Sequence, residues 1–271
     1  MVLMGWTLQP NSVARSLRHP LPSLIAILVN IVVVPLLAWP AVLILPLELS
    51  GGLIVASLVP CTLASASVWT RSAGGDDAVA MMTTVVTNLL CFLVAPLGLW
   101  ALLQKEAQVD VDGQMWGLFL QVVVPLVSGQ CLRLLGLARW ADRNRFQLAI
   151  VAQLGILAMV VLGAVISAER MNEHPAQAGS GWELTLTAVI AWAVHIAAVA
   201  VGYWIAAATG TARPQQLAIA ISGGQKTLMV GLQLALGCGV SVMPMVMYHV
   251  GQLFIDTLLV RWWTRGQNGP G

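Results

Sequence analysis

Apolar residues run along this chain in long blocks, and polar residues fall between the blocks or in a few notches within them. A membrane-crossing helix needs about 20 apolar residues. Eight such blocks are read, at 21–47, 51–73, 77–103, 114–135, 146–168, 182–208, 214–238 and 242–263. Nothing alternates with the period of two that a transmembrane β-barrel strand requires. The pattern therefore predicts an all-α polytopic membrane protein. Blocks 51–73 and 214–238 have middles rich in Ser, Thr and Gly and make poor continuous helices. Each is followed by a Gly-containing turn and by a further block with a polar stripe. Along the chain the first of the two runs outside to inside and the second inside to outside. Two similar units in opposite directions predict an inverted repeat, with the broken helices at its functional centre.

Composition narrows the class. Of 271 residues, 58% are hydrophobic and 9% charged, where a soluble domain carries about 25% charged residues. That excludes a soluble enzyme, a nucleic-acid binder and a disordered chain. The apolar run Leu21 to Leu47 is too long for the core of a cleavable leader. With the N-terminus placed inside, the inner side holds ten of the 13 Lys and Arg: Arg15, Arg18, Arg71, Arg133, Arg139, Arg143, Arg145, Arg213, Arg261 and Arg265. The outer side holds Lys105 and Arg170, with acids Glu48, Glu106, Asp110, Asp112, Glu169, Glu173 and Glu183. The positive-inside rule then puts both termini in the cytoplasm, in what reads as the inner membrane of a bacterium. Seven of the 11 tryptophans lie near predicted span ends, as an aromatic belt would place them. The four cysteines, Cys61, Cys91, Cys131 and Cys238, read as buried free thiols.

Four polar constellations interrupt the apolar blocks. In SLVPCTLASASVWTRSAGGDD, Pro60 removes a backbone donor, and Thr62, Ser65 and Ser67 follow it. This is either an unwound binding segment or a kinked helix with hydroxyls bonded to its own backbone. In MMTTVVTNLL, Thr84, Thr87 and Asn88 share one helical face, to bind a cation or substrate or to make a helix–helix contact. In SGGQKTL, Gly223 and Gly224 can unwind the helix, with Ser222, Gln225, Lys226 and Thr227 alongside. Lys226 lies halfway along its span, where a charge needs a partner or a water-filled cavity. In YHVGQLFIDTLL, His249, Gln252 and Asp256 form one stripe. Away from the span ends, Asp256 is the one acid and Lys226 the one base, so each is the other's candidate partner; the alternative pairs Asp256 with Arg261. His195 stands among apolar neighbours and reads as a hydrogen-bonded interior histidine. No soluble-type catalytic motif is present.

These constellations, in this order, resemble the bile acid:sodium symporter superfamily, and most of all its SBF-like branch. The resemblance rests on MGWTLQP at 4–10, PCTLASASVWTRSAGGDDAVAMMTTVVTNLL at 60–90, AIAISGGQKTLMVGL at 218–232 and PMVMYHVGQLFIDTLL at 244–259. It implies a fold of two inverted five-helix repeats, in which two unwound helices cross at the substrate and ion sites. On that plan residues 1–103 form the first repeat, shortened at its N-terminal side, 114–263 the second, and 264–271 a cytoplasmic tail. The start of the chain matches the end of the family's second helix, which implies either a start site placed too late, the favoured reading, or a shortened member of the family. The resemblance also matches Thr84 to a sodium-site threonine and Gln225 to the crossover glutamine. Where sodium-coupled relatives have an acid, this chain has Ile221; a Ser-Asn pair becomes Ala66-Ser67, and a serine becomes Ala80.

The expected activity is secondary transport of a small organic anion by alternating access, with altered or absent sodium coupling and Lys226 replacing one cation. The coupling ion is then sodium, at Thr84 and Gln225, or a proton, and no other cofactor is expected. The expected partners are the substrate and the lipid bilayer, with no nucleic acid. A non-transporting regulator of ion homeostasis or envelope glycan assembly is the alternative, and an enzyme using His249 and Asp256 a weaker third.

Overall fold

The computed structural model describes residues 1–7, 16–18, 20–62, 65–103, 110–144, 146–148 and 180–265, together with 150, 151, 154, 155, 157, 158, 161, 162, 165 and 169. The expected span 146–168 and the loop charges Arg15, Lys105, Glu106, Arg145, Arg170 and Glu173 thus fall wholly or partly outside the described residues. The helices are α1 (Val2–Thr7), α2 (Leu21–Leu43), α3 (Leu47–Leu58), α4 (Ser65–Ser72), α5 (Asp77–Leu103) and α6 (Val111–Arg143), then α7 (Gly181–Ala208), α8 (Arg213–Gly224), α9 (Leu228–Gly237) and α10 (Met243–Arg265). Five of them, α2, α5, α6, α7 and α10, are long and apolar enough to cross a membrane. Block 51–73 divides into α3 and α4, and block 214–238 into α8 and α9.

Local chemistry sets the boundaries. Ser180 caps α7 reciprocally with Glu183: the Ser180 hydroxyl accepts from the Glu183 amide, and the Glu183 carboxylate accepts from the Ser180 amide. Asp110 accepts from the Gly113 amide at the start of α6. Gly210 and Gly239 take φ of +71° and +72° in the turns after α7 and α9, a conformation that costs glycine little. Helix α2 widens to π geometry at Val29–Val33 and α6 at Phe119–Val123, in each case just before a proline, Pro35 or Pro125. A proline ring clashes with the preceding turn, and one wide turn relieves the clash.

The polarity is inside out. Leu43, Leu134, Leu135 and Trp204 are among many large apolar side chains on the outer surface, whereas Asn30, His195, Gln225, Lys226, Gln252 and Asp256 are fully buried. Water would not tolerate this distribution, and lipid demands it. The chain is an integral membrane protein. Its main apolar core joins α3, α5, α7, α9 and α10 through Leu53, Leu99, Val194, Leu232, Met245 and Tyr248.

Glycines allow close helix approach. At Gly5 and Gly129, α1 and α6 meet backbone to backbone, and Gln130 and Arg133 donate to the Gly5 and Trp6 carbonyls. Gly52 of α3 faces the Ser241 carbonyl and Pro244 at the start of α10. Gly52→Ala would drive a methyl into that backbone. We expect it to lower stability by about 1–3 kcal/mol, the usual effect of overpacking, as read from the unfolding midpoint in mixed SDS micelles.

Candidate functional site

The first break begins where proline forces the residue before it to be extended: Val59, after α3, has ψ of 156°. The second break is not where the glycines suggested. Gly223 and Gly224 remain helical at the end of α8, and the extended residues are Gln225 and Thr227, with ψ of 139° and 129°. The glycines serve packing instead. A Cβ on Gly223 would lie 2.8 Å from Val29, and one on Gly224 3.2 Å from the His195 ring.

The two breaks touch, with the Thr227 amide donating to the Pro60 carbonyl at 2.9 Å. Each is also held by the second helix after it, α5 for the first break and α10 for the second. The Cys61 amide donates to Thr87 Oγ1 at 3.1 Å, and Asn88 Nδ2 donates to the Cys61 carbonyl at 2.9 Å. In parallel, the Lys226 amide donates to Gln252 Oε1 at 2.8 Å, and Gln252 Nε2 donates to the Lys226 carbonyl at 2.9 Å.

Lys226 does not pair with Asp256. Consecutive side chains of an extended segment point to opposite sides. Gln225 accordingly turns toward Asp256 and Lys226 toward α2. Lys226 Nζ donates to the Asn30 carbonyl at 2.6 Å, to Asn30 Oδ1 at 3.2 Å and to the Val59 carbonyl at 3.0 Å. Two prolines free those carbonyls. In the wide turn of α2 the Val34 amide goes to Val29, and the residue that would serve Asn30 is Pro35, which has no N–H. The Val59 carbonyl is freed where α3 stops at Pro60. Three acceptors thus meet the three donors of an ammonium. Charge-assisted bonds contribute about 1.5–3 kcal/mol each, which offsets a desolvation penalty of several kcal/mol.

Asn30, a single polar residue in an apolar run, was not among the expected site residues. Its Nδ2 donates to the carbonyls of Ser222, Gly223 and Gln225 at 3.4, 3.1 and 2.9 Å, closing the C-terminus of α8. The signal for it in the sequence is its position five residues before Pro35.

On the opposite side, Gln225 joins the breaks to Asp256. Its Oε1 accepts from Thr62 Oγ1 at 3.0 Å and Ser65 Oγ at 2.9 Å, and its Nε2 donates to Asp256 Oδ2 at 2.6 Å. Asp256 Oδ1 lies 2.9 Å from His195 Nε2. Asp256 is fully buried and is not paired with Arg261, which is exposed. His195 is hydrogen-bonded, as expected, but it is part of this network. Tyr248 donates to the Gly224 carbonyl at 2.9 Å.

The remaining expected residues divide. Thr84 donates to the Thr62 carbonyl at 3.0 Å, so Thr84, Thr87 and Asn88 all bind the backbone of the first break. Asn88 Oδ1 is buried with no hydrogen-bond partner among the described residues. His249 Nδ1 lies 2.8 Å from Gln252 Nε2. The Ser222 hydroxyl turns back to the Ala218 carbonyl of its own helix at 2.6 Å. Thr227 joins through its backbone, and the Ser67 hydroxyl makes no hydrogen bond to the cluster among the described residues. Of the cysteines, Cys61 and Cys91 are buried as expected, but Cys131 is exposed and Cys238 partly so. A cavity of about 350 Å³ lined by Phe92, Asp112, Met115, Trp116 and Phe119 includes none of these site residues.

A model of the SBF-like CPA transporter family (DUF4137) matches residues 1–265. An uncharacterized protein of Pseudomonas aeruginosa is 26% identical over 230 residues, covering 80% of this chain and 66% of its own. The probable sodium/metabolite cotransporter BASS4 of Arabidopsis thaliana chloroplasts is 28% identical over 241 residues, covering 81% of this chain and 53% of its own. An uncharacterized sodium-dependent transporter of Bacillus subtilis, YocS, is 27% identical over 271 residues, covering 97% of this chain and 79% of its own. The chain thus spans about two thirds of the Pseudomonas relative's length and about half of the plant relative's.

Proposed function

The chain belongs to the SBF-like CPA transporter family, and from that premise we propose that it is a secondary active transporter of a small organic anion, working by alternating access with altered or absent sodium coupling. The family is one of transporters rather than enzymes. The observation that carries the proposal is the pair of touching helix breaks with a buried ammonium between them. Broken helices in membrane transporters put backbone groups and helix ends at the midplane, where substrates and ions bind. Here the C-terminal ends of α3 and α8 face the Lys226 side, where their dipoles favour a cation. The N-termini of α4 and α9 are left for an anion.

The matching roles of Thr87 with Asn88 and of Gln252 at the two breaks support an inverted repeat, with 1–103 and 114–263 as its halves. The concentration of basic residues on one side supports cytoplasmic termini in a bacterial inner membrane. The Bacillus relative is named as a sodium-dependent transporter. In this chain Ile221, Ala66 and Ala80 bring no side-chain oxygen, and Gln225 Oε1 already accepts from two hydroxyls. Lys226 supplies a tethered cation instead.

Reconstitution into proteoliposomes tests this. Uptake of radiolabelled carboxylates and taurocholate should be detectable and should survive replacement of sodium by potassium. Folded protein that moves no anion in either salt would instead favour the regulator reading.

A further inference from the structure

Both nitrogens of the His195 ring face acceptors. Nδ1 lies 3.2 Å from the carbonyl oxygen of Gly224, which can only accept, and Nε2 lies 2.9 Å from Asp256 Oδ1. A neutral imidazole carries one N–H. If that N–H serves one contact, the other sets two lone pairs against each other at a site with no exposure, where an unpaired polar atom is most costly. Asp256 gives no relief through its second oxygen, because Oδ2 already accepts from Gln225 Nε2. One proton beyond those of a neutral ring and a carboxylate satisfies every contact. It sits on Nε2, as an imidazolium facing a carboxylate, or on Oδ1, as a carboxylic acid facing the ring.

We propose that His195 and Asp256 form a proton-binding site, which holds one exchangeable proton between Nε2 and Oδ1 and presents its loading to the helix crossing through Gln225. Gln225 is suited to this because its Nε2 reaches Asp256 while its Oε1 accepts from Thr62 and Ser65 at the first break. Loss of the proton takes the pair from net neutral to net negative and so changes what Gln225 must donate to. As a coupling site it rests on the transporter reading above; its proton occupancy does not.

The titratable groups around the pair come from few elements. Tyr248 of α10 has its ring centroid 5.7 Å from that of His195 and donates to the same Gly224 oxygen. Cys61 and Lys226 come from the two breaks. Helix α2 brings no titratable group over Leu21–Leu43, and Glu48 lies in the first turn of α3, away from the break. Arg71 of α4 and Arg213 of α8 are exposed near helix ends.

The test compares unfolding of wild type and Asp256→Asn in SDS–detergent mixed micelles from about pH 5.5 to 8.5, above the range of an unfolded carboxylate. The amide that this variant introduces can donate to Nε2 and accept from Gln225, and it leaves the ring neutral because no carboxylate remains to balance a buried charge. Unfolding the wild type releases a proton that the variant lacks, whereas every other group, including His249 and Lys226, cancels in the ratio. The ratio of unfolding constants, wild type over variant, should rise about ten-fold per pH unit. A ratio that stays flat would mean a neutral ring beside an ionised Asp256 and would overturn the proposal. Asp256→Ser gives the same comparison should the asparagine variant not fold. Neither outcome depends on whether any anion is transported.

Discussion

Lys226→Met is expected to lower stability by about 3–5 kcal/mol, the range for removing one side of a buried charged network. The loss has a specific source. Without the ammonium, the Asn30 carbonyl, Asn30 Oδ1 and the Val59 carbonyl have no donor, and a buried acceptor left unmade costs about 1–3 kcal/mol. The prolines that free these carbonyls also prevent the backbone from reclaiming them. Lys226→Ala carries the argument further, because it empties a cage built from oxygen, the ligand that hard monovalent cations prefer. The unfolding midpoint of Lys226→Ala should rise in sodium, ammonium or methylammonium chloride relative to choline chloride, whose cation is too large to enter. The wild-type midpoint should not distinguish these salts. Equal midpoints for the alanine variant in all of them would show that the ammonium is not occupying a cation site.

Asn30→Leu, which nearly conserves volume, is expected to cost about 2–4 kcal/mol, since it strips the donor from the carbonyls of Gly223 and Gln225 and leaves them buried. It separates two roles of Asn30. If closing the end of α8 dominates, Asn30→Asp should be at least as damaging, because a carboxylate would face carbonyl oxygens. An Asn30→Asp protein as stable as wild type would mean that contact with Lys226 matters more. Mixed-micelle unfolding of the three proteins decides between them.

The long helices were legible in the sequence because lipid imposes a length and a composition on them. The breaks were legible because Pro60 and the polar run at 222–227 are anomalous in hydrocarbon. Side-chain partners were not legible. Charge alone paired Lys226 with Asp256, but the extended backbone at 225–227 sends neighbouring side chains to opposite sides, a geometry that sequence spacing on a helix does not convey. Gly223 and Gly224 suggested unwinding because glycine is permissive; their actual service is to let Val29 and His195 come close. Asn30 was hidden because one amide hardly alters the hydropathy of its span. Only the pairing of a wide helical turn with Pro35 reveals that its carbonyl has no backbone donor and is open to Lys226.

The lysine cage also bears on how the protein is made. Asn30 and Lys226 are 196 residues apart, and a ribosome adding about 5–20 residues per second needs roughly 10–40 s to travel that distance. Until then the donor that the folded protein uses for the Asn30 and Val59 carbonyls has not been made. The polar contacts of the first half of the chain are therefore completed only when one late lysine emerges.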